Sequence, residues 1–469
     1  MHLKTSSSHH TDPLRVNQVK IEFTSKEITS LGGLSIIARF LEEIGFKEWV
    51  EESFPVEETS PNGKGKYPKV LSLFLTALSG GNRFTHLLMW GYGREAIKKV
   101  FGEEWLPRAV STLTRFFGKI KSQRQAELWR EKAKLFVLKF LEWEGIEEDE
   151  VGFDSSVKTL YGEQEGAKKG YNPRKPGRPS HHPLFCFLRE SCYGIDIWNR
   201  SGDTHSGQGI VEFGRESLSM LESRIRVRRV VCDTGFYRSD WVRTLEEGGY
   251  RYIIGVPHYW VLQEKVMEIK DWREVEKGIE VGEFRFQHKA EGWDKERRYV
   301  AVRRDKRRHP KSGGKQLSLF PEFEEWEGWR VSVYVTNEDS PAEEIWRRYR
   351  PRAEQENRIK EIKHDFGLDG FNLDGFWATE SVMVLLVLVC YTIINFLRRR
   401  VFCRHGKKER LRTLRMKWFI IPGQLGRRGR DEILRLAVRS RKVREKLRWM
   451  FREIGRLGEK PNCNAFGFG

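Results

Sequence analysis

Two short apolar runs in this chain each end in an aspartate that opens a turn: Val151–Phe153 leads into Asp154-Ser155-Ser156, and Val230–Cys232 into Asp233-Thr234-Gly235. Apolar runs bounded by small polar residues and glycine read as buried strands. Ligands of open α/β sheets collect where such strands end. A carboxylate held there is costly unless paired or bound to metal, which constrains whatever packs around it. Each aspartate taken alone fits an ordinary turn or helix cap equally well, since short polar side chains favour both.

A third acid comes from the stretch Tyr349–Lys363, YRPRAEQENRIKEIK. On an α-helix, Arg352, Glu356 and Lys363 fall within an arc of about 40°. One face then carries a carboxylate flanked by cations, while Glu354 and Glu361 point about 180° away. Pro351 suits a helix start and leaves Tyr349 just ahead of it. A surface Arg352–Glu356 ion pair at i,i+4 is the plain alternative. It leaves Tyr349 and Lys363 unexplained.

The 85 Lys and Arg against 66 Asp and Glu give a formal net charge of +19 over 469 residues. A balance this basic points first to a polyanion, because neutralising phosphates releases counterions. Three separated acids on such a chain suggest metal-dependent chemistry on phosphodiesters. The six cysteines (Cys186, Cys192, Cys232, Cys390, Cys403, Cys463) form no C-x-x-C pair, which argues against a zinc site or a disulfide framework and suits a reducing cytosol. The opening MHLKTSSSHHTDPLR has no signal-peptide core. The run Val382–Leu397, 16 residues by its numbering, falls short of the roughly 20 that a spanning helix needs, so it is expected as a buried core helix.

Periodicity divides the chain further. Residues 1–25 read as a disordered tail and 26–147 as a helical DNA-binding region, with Leu34, Ile37, Leu41 and Ile44 on one helix and Gly45 as its stop. Within it, PRAVSTLTRFFGKI fits either a recognition helix of a helix-turn-helix or a common amphipathic helix. Residues 148–256 alternate strands with a helix around Gly207–Ser223, as in a mixed α/β sheet. Residues 257–337 carry alternating strands (IEVGEFRF, RYVAVRR, WRVSVYV) and are expected as a β-rich insertion outside the main sheet. Residues 338–400 return to helix and 401–469 form a basic helical end that suits DNA or a solvated surface. His181, His182 and His205 lie between the acids, as loop histidines or site neighbours. Trp260, Trp272, Trp293, Trp326 and Trp329 crowd the insertion; core packing is the commoner fate of each.

The blocks DSSVKTLYGEQEGAKKGYNPRKPGRPSHHPL and CDTGFYRSD, followed by the Tyr349, Arg352, Glu356 and Lys363 signature, resemble the DDE transposases of bacterial insertion sequences. They are similar in particular to the insertion-sequence 1380 family of the insertion-sequence 4 superfamily, over residues 30 to 400. The resemblance implies an α/β fold: a ribonuclease H-like catalytic core interrupted by a β-rich insertion, between helical N-terminal and C-terminal regions. It implies Asp154, Asp233 and Glu356 as the catalytic, metal-binding triad, and Tyr349, Arg352 and Lys363 as DNA contacts. Related enzymes also stack a flipped base on an insertion tryptophan. Pro351 inside the signature is a departure that leaves the matched positions intact. Three gathered carboxylates repel one another unless divalent cations neutralise them, and Mg²⁺, with Mn²⁺ as substitute, is the natural occupant. Two ions then serve an in-line displacement. The implied partners are double-stranded DNA, as transposon ends and target, and a second copy of the chain on paired ends, in the cytoplasm on the nucleoid and without a membrane. Two rival readings remain: a catalytically silent, transposase-derived DNA-binding protein, and a nuclease that cuts without joining.

Overall fold

The spacing of Leu34, Ile37 and Leu41 produces helix α1 (Ser35–Glu43), and Gly45, at φ 60°, turns the chain in the left-handed conformation that glycine adopts without strain. The computed structural model describes residues 15–458 apart from 17–18, 59–62, 309–324, 327 and 403–408. Most of the expected N-terminal tail, the tip of the RRDKRRHPKSGGK loop, the last residues, Cys403 and Cys463 therefore lie outside the described residues. So does the side chain of Trp326. The helix Val110–Phe117 buries Leu113, Phe116 and Phe117 and exposes Ser111 and Arg115, an amphipathic arrangement. Helix α2 (Gln123–Glu144) starts in a reciprocal cap, where the Ser122 hydroxyl accepts from the Gln125 amide and the Gln125 side chain reaches back.

Beyond α2 a mixed sheet begins. Strands β1 (Glu148–Ser155), β2 (Leu184–Leu188) and β3 (Gly194–Trp198) run antiparallel in succession. Strand β4 (Arg226–Cys232) joins the other edge of β1 in parallel, after helix α3 (Ile210–Glu222), and β5 (Tyr252–Val256) lies parallel beyond it, after helix α4 (Ser239–Glu247). Every residue of β2 and β5 is buried, the mark of strands covered on both faces.

The segment expected as a separate insertion is instead part of this sheet. After helix α5 (Trp260–Met267) come β6 (Arg273–Glu276), β7 (Ile279–Phe286), β8 (Arg297–Asp305) and β9 (Trp329–Thr336), each antiparallel to the next in the order β6-β7-β8-β9. Strand β9 also pairs with β5, Ile254 opposite Val335, so the sheet reads β6-β7-β8-β9-β5-β4-β1-β2-β3. Without β9 the amides and carbonyls on the free edge of β5 would lack partners inside the protein, and antiparallel docking satisfies them.

Helices α6 (Ala342–Tyr349) and α7 (Arg352–His364) follow, then α8 (Phe376–Phe402). At 27 residues α8 is longer than the run Val382–Leu397 suggested, and long and apolar enough to cross a membrane by that measure alone. Its apolar stretch is wholly buried. It packs along α2, whose Trp129 indole donates to the Ser381 carbonyl (3.0 Å). The C-terminal region departs from the all-helical expectation too. A hairpin of β10 (Gly423–Arg428) and β11 (Asp431–Leu436) pairs with Ile28–Thr29 before the basic helix α9 (Arg441–Gly458). Gly429, at φ 63°, supplies the left-handed residue that its two-residue turn requires. Cys186, Cys192, Cys232 and Cys390 are buried and unbridged.

Helix α7 approaches β1 closely because Gly152 has no side chain. A β-carbon there would lie 2.0 Å from Gln355 Oε1, and Gln355 is buried with neither amide atom hydrogen-bonded. Gly152→Ala is expected to destabilise the fold by about 1–3 kcal/mol through overpacking. Adding Gln355→Ala should recover part of that loss, measured as a coupling energy in urea denaturation of the single and double variants.

Candidate active site

Asp154 and Asp233 are neighbours by strand register. Phe153 of β1 lies opposite Cys232 of β4 in a parallel pair, so the residues that follow emerge side by side at the carboxyl ends of the strands. Local hydrogen bonds fix both: Asp154 Oδ1 accepts from the Ser155 amide (2.8 Å), and Asp233 Oδ1 accepts from the Thr234 amide (2.5 Å) and hydroxyl (3.1 Å). Glu356 stands in the second turn of α7, which is held to the end of β2 by Arg358 donating to the Leu188 carbonyl (2.8 Å).

Arg352 joins the three acids. Its Nη2 lies 2.8 Å from Asp233 Oδ2 and 3.4 Å from Asp154 Oδ2, and its Nη1 lies 3.2 Å from Glu356 Oε1. Burial pushes the Asp154 carboxyl up to about 7; Arg352 pulls it down, while Asp233 and Glu356 push it further up. Burial also opposes the charge of Arg352, yet the surrounding acids outweigh it and hold the guanidinium above its usual range. Glu354 and Glu361 face elsewhere, Glu354 toward Arg358 (3.8 Å) and Glu361 toward Arg398 (2.6 Å) and the Leu411 amide (2.6 Å).

Lys363 lies on the wall of the same cleft, buried, with its ammonium on Ser156 Oγ (3.0 Å), the Val157 carbonyl (2.5 Å) and Asp369 (3.4 Å). Tyr349 does not sit free before α7. It is the last residue of α6, with its ring centroid 4.3 Å from that of Tyr334. A β-carbon on Gly255 of β5 would meet its hydroxyl at 2.8 Å. The cleft, about 560 Å³, also takes in Tyr171, Arg174, His205 and Asp369. His205 was expected as a loop histidine or site neighbour, and Tyr171 and Arg174 lie in the block that carries the resemblance, but no spacing singled out either of them or Asp369.

His181 and His182 are both buried. His181 Nε2 lies 2.8 Å from the Glu165 carbonyl, and His182 bridges the Thr204 carbonyl (2.8 Å) and Ser155 Oγ (3.1 Å). Of the tryptophans, Trp293 is buried, Trp272 and Trp329 each carry the Arg303 guanidinium over one ring, and Trp260 is 61% exposed.

Three carboxylates are donors of the kind a hard divalent cation takes. As the side chains stand, however, among the described residues no three acidic, imidazole or thiol groups are close enough to share an ion. The Arg352 guanidinium bonds to all three acids, so loading a cation requires it to withdraw.

Arg352→Gln should destabilise the metal-free protein, by up to about 3 kcal/mol in alkaline solution where the buried Asp154 stays ionised, and by less at neutral pH, where Asp154 takes up a proton instead. Adding Asp154→Asn should restore most of the loss in denaturant unfolding with a chelator present. Burial lowers His181 and His182 to about 4, against about 6.5 for the unfolded residue. The unfolded chain binds the extra protons, so the stability from keeping them neutral is complete above about pH 6.5 and drains away as pH falls toward 4. Thermal midpoints should drop over that window, and His181→Gln should flatten the drop.

No curated protein matches the chain. Among solved structures, one similar chain is the piggyBac transposase in a cryo-EM synaptic complex with hairpin DNA. It is 13% identical, with 92% of this chain and 86% of that chain covered and a TM-score of 0.45. Residues 11–458 match the family described as transposase DDE domain group 1, and the chain belongs to that family of DDE transposases.

Proposed function

We propose that this chain is a cut-and-paste DNA transposase. It binds terminal inverted repeats, hydrolyses DNA at the element ends, and joins the freed 3′-ends to target DNA by transesterification. One observation carries this reading: Asp154, Asp233 and Glu356 converge on a single guanidinium at the ends of two adjacent parallel strands. The strand order β3-β2-β1-β4-β5, three antiparallel and then two parallel, supports a ribonuclease H-like core. The DTGF block and the Tyr349, Arg352, Glu356 and Lys363 signature support the insertion-sequence 1380 group of the insertion-sequence 4 superfamily.

Asp154, Asp233 and Glu356 would hold Mg²⁺, or Mn²⁺ in its place. Bound there, paired divalent ions supply the charge that activates a water or 3′-hydroxyl and stabilises the departing oxygen. Arg352, released from the acids, takes a phosphate through its planar fork, and Lys363 offers a point charge from the cleft wall. Tyr349, near enough to Arg352 for the two to interact electrostatically, completes the signature as a DNA contact. Cutting both ends together calls for two copies on paired DNA ends, in the cytoplasm on the nucleoid. The rival reading, a transposase-derived protein that binds DNA without cutting, draws on Arg352 already occupying the space between the acids.

Incubation of the protein with Mg²⁺ and the DNA flanking its gene separates the two. Wild type should nick at the element end, while Asp233→Asn and Glu356→Gln keep end binding. Their cleavage should fall below about a thousandth of wild type, the scale of losing one member of a catalytic unit. Full cleavage by either variant refutes the assignment.

A further inference from the structure

Between Asp154 and Asp233 the chain builds a small flap. The two-residue strands Lys158–Thr159 and Lys168–Lys169 pair antiparallel with either side of Pro179–His181, and the turn Tyr171–Arg178 projects from them. The turn is anchored from within. Asn172 is buried, its Nδ2 donates to Thr159 Oγ1 (3.0 Å), and its Oδ1 accepts from the Lys175 amide (3.1 Å). The Arg178 amide closes on the Lys175 carbonyl (3.1 Å), and Pro173 and Pro176 limit the backbone further. What this fixed turn displays is basic and aromatic. Tyr171 is 59% exposed, and Tyr171 and Arg174 line the cleft that holds Asp154 and Asp233.

Charge makes the arrangement informative. Several arginines of the sheet meet carboxylates, as Arg229 does with Glu338 (2.6 Å) and Arg297 with Glu246 (2.9 Å), while Arg200 is spent on backbone carbonyls. On the flap, Lys168 pairs with Asp203 (3.3 Å), but among the described residues no carboxylate lies within ion-pair distance of Lys169, Arg174, Lys175 or Arg178. Arg174 lies close enough to Lys363 to help lower its pKa, so two cations approach each other across the cleft. Arg178 rests over the Tyr161 ring (5.8 Å), and cations without carboxylate partners on a hydrogen-bonded turn, beside an exposed ring and facing an acidic centre, match a nucleic-acid strand: phosphates for the cations, a base face for the ring.

The geometry points to the turn Tyr171–Arg178 as a clamp for the DNA strand entering the cleft, with Arg174 on a backbone phosphate and Tyr171 stacked on the adjoining base. This rests on the transposase reading and adds to it a positioning site outside the Tyr349, Arg352, Glu356 and Lys363 signature. The acids act on the phosphodiester; the clamp sets which one reaches them.

The test uses the full-length protein and a mixed-sequence duplex with a single-stranded tail, 2-aminopurine being placed at each tail position in turn. Wild type and Tyr171→Phe should quench the fluorophore at one position. Tyr171→Ala should abolish that quenching and weaken binding about tenfold, the range of one lost stacking contact. Arg174→Gln should lower the slope of log affinity against log salt by about 0.7, one phosphate on a single strand. Thermal midpoints equal to wild type show that both variants fold, as expected for exposed side chains. Unchanged quenching in Tyr171→Ala together with an unchanged slope in Arg174→Gln overturns the clamp. Cleavage of the flanking DNA is scored separately. Normal cleavage without the Tyr171-dependent signal sinks the clamp alone, and the signal without cleavage sinks the transposase reading alone.

Discussion

The contact on which the candidate active site depends is the grip of one guanidinium on three carboxylates. Asp154 and Asp233 share Nη2 of Arg352, and Glu356 takes Nη1. Without a cation in their midst, these acids would repel one another and the buried Asp154 would bear most of the cost. The strand register sets two acids abreast, and the close approach of α7 over Gly152 brings the third. Arg352 and Glu356 lie one turn apart on α7, so the helix carries both an acid and its counter-charge to the sheet in a single docking step.

Around this centre the charges fall into two tiers. The inner tier is acidic, three carboxylates sharing the single positive charge of Arg352. The outer tier, Lys363 and Arg174 on the wall, is cationic, and Asp369 serves both Lys363 and the buried Lys158. Such an order suits a polyanion whose backbone is held by the outer tier while one phosphate is presented inward. A mononucleotide-sized ligand would leave the flap cations without partners.

How much of this was legible in the sequence depended on whether the signal was local. Val151–Phe153 and Val230–Cys232 form the strands their apolar runs indicate, and the 100° helical period put Glu356 with Arg352 and set Glu354 and Glu361 apart, as their partners in the structure show. What failed was long-range. The alternation in residues 279–336 specifies strands but carries no information on which edge they join, so the pairing of β9 with β5 could not be read. The length of α8 was hidden because Thr379, Glu380 and Ser381 look like a polar boundary. In the structure they are buried with partners, Glu380 accepting from the Asn199 amide at 2.9 Å. Tyr349 ends α6 rather than floating ahead of α7, since Pro351 interrupts the helix without freeing the residues before it. The flap residues Tyr171 and Arg174 reach the cleft only through the fold of a turn that Asn172 holds.

The pairing of β9 has a mechanical side. This strand is bonded along one edge to β5 and along the other to β8, and only a few residues separate its end at Thr336 from α6 and then α7. The ladder from β6 through β7 and β8 to β9 therefore makes the outlying strands and the backbone that leads to the Glu356 helix one continuous hydrogen-bonded piece.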